Sequence, residues 1–177
     1  MKIESPAFTL DDVKSFMDTY LDRERDILAE RLQKASDRLA ALAPRVRAQA
    51  GAQAGDEAAW NAHELLAHIA VLSKFYGMLV HRISSGQTPN MDLLEAVHLR
   101  DTAGHQMSQL EPPDLLRMTV ADHERTINSL RTAEARDLRR TAELGDGITM
   151  TAEEVARLPL ISHLELHIAE LERLLDA

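Results

Sequence analysis

Residues 60–86 read WNAHELLAHIAVLSKFYGMLVHRISSG, and this stretch decides the fold. Asn61, followed three residues later by Glu64, is a capping-box pattern: the Asn side chain accepts a first-turn amide and the Glu side chain reaches back to the cap amide. Trp60 before the cap and Leu65 after it form a hydrophobic staple. Proline is absent until Ser85-Gly86 supplies a stop. The pattern predicts a helix from Asn61 to about Ser84. Its apolar run, Leu65 to Val80, is broken by His68, Ser73 and Lys74, which makes it too short and too polar to span a bilayer.

Similar punctuation divides the rest of the chain. Thr9 with Asp12 opens a first helix, and apolar residues recur at Val13, Phe16, Met17, Tyr20, Ile27, Leu28, Ala35, Leu39 and Leu42, the spacing of one helical face. Pro44 ends it, and Arg45–Ala59, with Gly51 and Gly55, reads as a loop. A third helix is expected from Thr88-Pro89-Asn90 to His105 or Gln106. Pro112-Pro113 opens a fourth, which continues to about Glu143, and Leu144-Gly145-Asp146-Gly147 is a stop and turn. Thr151 with Glu154 caps the last helix. Pro159 lies inside it and is expected to kink or split it near Val155, whose carbonyl loses its partner. Sustained period-two alternation is absent, so the reading is all-α: a bundle of four or five amphipathic helices in one domain.

Composition agrees and excludes several functions. The 177 residues are 45% apolar, 28% charged and only 3% aromatic. A net charge of −9 argues against nucleic acid or an anionic membrane as partner. The opening Met-Lys-Ile-Glu-Ser-Pro lacks a targeting pattern, so a cytoplasmic address is expected. With 0 Cys, disulfides, thiolate metal sites and a cysteine nucleophile are excluded. Gly-x-Ser-x-Gly, His-Glu-x-x-His and a Gly-rich phosphate loop are all absent.

Any tight metal site must then use the eight histidines and the carboxylates. His163 and His167 are the one pair four apart, so both rings can reach one ion. On spacing alone, a half-exposed helix face is the commoner meaning of such a pair. Position sharpens it: Leu158, Ile161, Leu164, Ile168, Leu171 and Leu175 form the core stripe of that helix, and the two histidines lie at its border. His68 is about seven residues into its helix, and His167 about nine from the end of the last. Packed antiparallel, at ~1.5 Å rise per residue, the two stand at one height. Three neutral imidazoles with an open fourth position are the design of a catalytic rather than a structural zinc-type site.

Trp60-Asn61-Ala62-His63-Glu64-Leu65-Leu66-Ala67-His68-Ile69 resembles the second-helix signature of the DinB-like (YfiT-like) metal-dependent enzymes: a Trp, a cap residue, a Glu and a His eight positions after the Trp. The segment from His163 through His167 to Leu171 resembles their closing motif. The resemblance implies one DinB-like four-helix bundle over residues 1–177 with a crossover connection. It also implies one divalent cation, zinc or nickel, held by His68, His163 and His167 with water completing the shell, and family habit suggests a homodimer. Relatives include transferases that use low-molecular-weight thiols such as bacillithiol or mycothiol, and a mycothiol-dependent maleylpyruvate isomerase. The isomerase carries Glu where this chain has His163 and has a second domain, so that particular activity is not expected. The expected function is a thiol-dependent transferase acting on a small molecule. A metal-dependent hydrolase of unknown substrate and a non-catalytic metal-binding or stress-response dimer module are the alternatives.

The remaining candidates have plainer readings. Glu64 is a candidate base or support for His68, although the cap accounts for it. Glu95 and His98 form a single Glu-x-x-His, where a di-iron bundle needs two. His63, His81, His105 and His123 are expected at the surface or at helix ends. Met78, Met107 and Met118 read as core filler, and the charged run over residues 121–143 as a solvated helix face.

Overall fold

The computed structural model describes residues 9–48, 61–87, 104, 106–145 and 147–176. Helix α1 (Leu10–Ala41) and the short α2 (Ala43–Ala48) are followed by α3 (Ala62–Ser84) and α4 (Pro112–Thr132). A 3-10 turn (Ala135–Arg139) and an antiparallel hairpin of β1 (Thr141–Glu143) and β2 (Thr149–Thr151) lead to the last helix. That helix is continuous but has three parts: α5 (Ala152–Val155), a π-helical segment (Ala156–Ser162) and α6 (His163–Asp176). The fold is the expected all-α bundle, with one small two-stranded sheet added.

The local signals act as the sequence implies. Capping boxes form at Thr9/Asp12, Asn61/Glu64 and Thr151/Glu154. Gly86 (φ +77°) follows the end of α3, in a conformation that few other residues adopt. Pro159 removes one backbone donor, and the helix widens from Ala156 onward, so that the His163 amide donates to the Leu158 carbonyl five residues back.

Topology follows from which residues meet. Contacts of α3 with α4 and the residues just before it ascend together: His63 reaches the Leu110 carbonyl, Ser73 meets His123 and His81 meets Ser129, so these helices are parallel. Ion pairs to the last helix from α1, and from Arg45 of α2, also ascend: Glu24–Arg157, Arg31–Glu165, Arg38–Glu172 and Arg45–Asp176. Helix α1 and the last helix are parallel as well. Arg25, early in α1, bonds the Ala133 carbonyl just past α4, so the two pairs oppose each other. Each of α1 and α3 packs on both α4 and the last helix, which places α1 and α3 on one diagonal. The order is up-down-down-up. Parallel α3 and α4 require a long return between them, which is the crossover connection.

The core joins Leu28, Leu32 and Leu39 of α1, Leu65, Leu72 and Leu79 of α3, Leu115 and Ile127 of α4, and Leu164, Ile168 and Leu171 of α6. Removing any one of these side chains to Ala costs about 2–5 kcal/mol, whereas each partly exposed ion pair contributes about 1 kcal/mol or less.

Several expectations are corrected. The first turns of α1 are not core: Phe16 is 68% and Tyr20 50% exposed. Helix α1 is ~48 Å long against ~32 Å for α4, so its start overhangs its neighbours. The loop expected from Arg45 is helical to Ala48, anchored by buried Val46. Helix α4 stops at Thr132 rather than near Glu143. Leu138 and Ala142 suit a helix by spacing, but they bury from the 3-10 turn and from β1 instead. Met78 and Leu158 are exposed rather than core. Trp60, His98, His105 and most of the expected third helix lie outside the described residues.

Candidate metal centre

The cap at Asn61 starts α3 so that His68 falls two turns in, on the side facing the last helix. The π-helical segment ends at Ser162, and ordinary α-helix resumes at His163. His163 and His167 therefore stand one turn apart on one face, while Leu164, Ile168 and Leu171 beside them go to the core. Helix α3 and the last helix oppose each other, so His68 and His167 stand at one height.

The three imidazoles meet. One ring nitrogen from each of His68, His163 and His167 lies within 4.8 Å of the others, and all three side chains are partly buried. The ring centres of His68 are 5.7 Å from His163 and 4.8 Å from His167. Nε2 of His163 and Nε2 of His167 are 2.8 Å apart. Two nitrogens on a tetrahedral zinc ion with bonds of 2.0–2.1 Å lie about 3.3 Å apart, a spacing between the 2.8 Å of the His163–His167 pair and the 4.8 Å within which all three donors fall. Nδ1 of His167 is 3.1 Å from Oε2 of Glu170, the kind of carboxylate support that holds a ligating imidazole in one tautomer. Sequence reasoning missed Glu170, although its place three residues after His167 puts it on the same face.

Glu64 is exposed, and its carboxylate accepts the Asn61 amide at 3.0 Å in the cap. His63 reaches the Leu110 carbonyl and His81 pairs with Ser129 at the surface. His123 is not a surface residue: it is 1% exposed, with Nε2 2.8 Å from the Ser73 hydroxyl and Nδ1 buried without a hydrogen-bond partner. Burial lowers its pKa to about 4, against an opposing pull from Asp122. The signal for it was present: Leu115, Thr119, His123, Thr126 and Leu130 recur at helical spacing, so His123 lies on the buried stripe of α4.

Fold and histidine cluster together define a helical bundle with a candidate metal centre. The chain belongs to the DinB superfamily, whose profile matches residues 20–171, and this superfamily is generally metal-binding. No curated protein and no solved structure matches the chain. Among the described residues, no helix is long and apolar enough to cross a membrane.

Proposed function

We propose that His68, His163 and His167 hold one divalent cation, zinc or nickel, and that the protein is a transferase that uses a low-molecular-weight thiol. The observation that carries this reading is the meeting of three imidazoles from two helices, with no thiolate or carboxylate among the converging donors of the described residues. A cation held there would supply Lewis acidity, which favours the deprotonated form of a thiol or of water. The chain's own residues hold and orient: Glu170 sets the ring of His167, and the core under Leu164 and Ile168 fixes the helix that carries both histidines. The 177 residues contain no cysteine, so a sulfur nucleophile has to come from a cosubstrate.

Metal analysis of protein purified without a His tag tests the centre. One zinc or nickel per chain is expected, lost in both His68→Ala and His167→Ala with the helical circular dichroism retained. Retention of the metal in either variant removes the ligand set. Thiol consumption with electrophilic acceptors then tests the reaction. Turnover with water alone replaces the transferase reading with a hydrolase.

A further inference from the structure

A cavity of about 440 Å³ opens beside the histidine cluster, with His163 in its wall. Tyr76 of α3 contributes to it, as do Met150 of β2 and, from the last helix, Val155 and Pro159. Leu158 and Leu166 stand at its mouth and are 56% and 69% exposed. Its volume falls within the range of small-molecule sites.

Its chemistry is one-sided. None of the described residues lining it carries a fixed charge, and its polar side chains are Tyr76, Ser162 and His163. The Ser162 hydroxyl is already engaged, donating to the Arg157 carbonyl at 2.8 Å and accepting from Arg31 at 3.2 Å. The wall is otherwise apolar, with the His163 imidazole at one place and the Tyr76 phenol at another. Such a wall rewards buried hydrocarbon and penalises an unpaired charge. A thiol cosubstrate that carries carboxylates or sugar hydroxyls would leave those groups unpaired here. An uncharged acceptor would not.

We propose that this cavity binds the apolar body of the acceptor substrate, an uncharged aliphatic or aromatic molecule whose reactive polar end lies toward His163. The proposal rests on the metal reading above for the direction of that end, but the apolar recognition can be tested separately. The local backbone makes the space. The π-helical turn around Pro159 and the hairpin carrying Met150 are both departures from a plain bundle, and both border the cavity. Widened helical turns of this kind recur at functional sites.

Two hydroxamates that share a metal-binding head and differ in chain length provide the test. Titration calorimetry of zinc-loaded protein with acetohydroxamate and octanohydroxamate is expected to show the longer one binding on the order of 100-fold tighter, since each fully buried methylene is worth roughly fourfold and burial of about half of the extra chain gives that factor. In the double variant Leu158→Glu/Leu166→Glu that ratio is expected to fall below about tenfold, because a charged mouth opposes entry of the chain. Both positions are exposed, so the fold tolerates the change. In metal-free His68→Ala, the neutral fluorophore Nile red is expected to bind, and to do so no longer once the mouth is charged. Equal affinity for the two hydroxamates overturns the proposal and leaves the metal reading standing. Absence of hydroxamate binding with Nile red still bound in the cavity overturns the metal reading and leaves the apolar site standing.

Discussion

Oε2 of Glu170 lies 3.1 Å from Nδ1 of His167, on the ring edge opposite the Nε2 that meets His163. Accepting the Nδ1 proton leaves the Nε2 lone pair directed at the cluster, which is the tautomer a metal needs. Glu170→Gln keeps the shape but no longer holds that proton as a carboxylate does. Metal affinity, measured by chelator competition, is expected to fall about 10–100-fold with helicity unchanged. Unaltered affinity would show that the carboxylate does not orient the ring.

The buried pair of His123 and Ser73 makes stability depend on pH. His123 titrates near 4 in the folded protein, against an ordinary value of 6.5. The unfolded chain therefore binds its proton first as the pH falls, and the native state loses stability across the window from about 6.5 to about 4. The loss from this residue amounts to at most about 3 kcal/mol. Urea titrations at several pH values are expected to show that slope in the wild type and a shallower one in His123→Gln. Identical slopes would place the titration elsewhere.

Close approach of α3 and α4 rests on Gly77. A Cβ there would meet the Thr126 Oγ1, and that hydroxyl is held by the Asp122 carbonyl at 3.0 Å and has no free rotation to yield. Gly77→Ala gains about 1 kcal/mol of helix propensity but loses about 1–3 kcal/mol to overpacking, so it is expected to destabilise. In a Thr126→Ala background the same change is expected to stabilise. The coupling in a double-mutant cycle, read by urea denaturation, should exceed about 1 kcal/mol. Additive changes would show that the helices part at no cost.

Much of this was legible because it is local. The boxes at Thr9, Asn61 and Thr151 act within one turn, and each helix starts where its cap stands. The disturbance near Val155 follows from one missing amide at Pro159. Errors arose where spacing was compatible with two structures or where residue type outweighed position. Leu138 and Ala142 fit a helix as well as a 3-10 turn and a strand. The polarity of His123 points to the surface, whereas its position lies on the buried stripe of α4. Phe16 and Tyr20 recur at helical spacing, yet at 3.6 residues per turn they stand roughly 80–140° round α1 from Leu28 and Leu39, off the buried stripe.

The amino-acid order by itself determined that the chain is a helical bundle, where most described helices begin, and which three histidines carry donors on compatible faces. Those properties depend on neighbours within four or five residues. Only the tertiary structure decided that α1 and α3 occupy one diagonal, that Glu170 serves His167, and that an apolar cavity opens beside His163. Each of these depends on where distant segments pack, and many different packings bury the same stripe equally well.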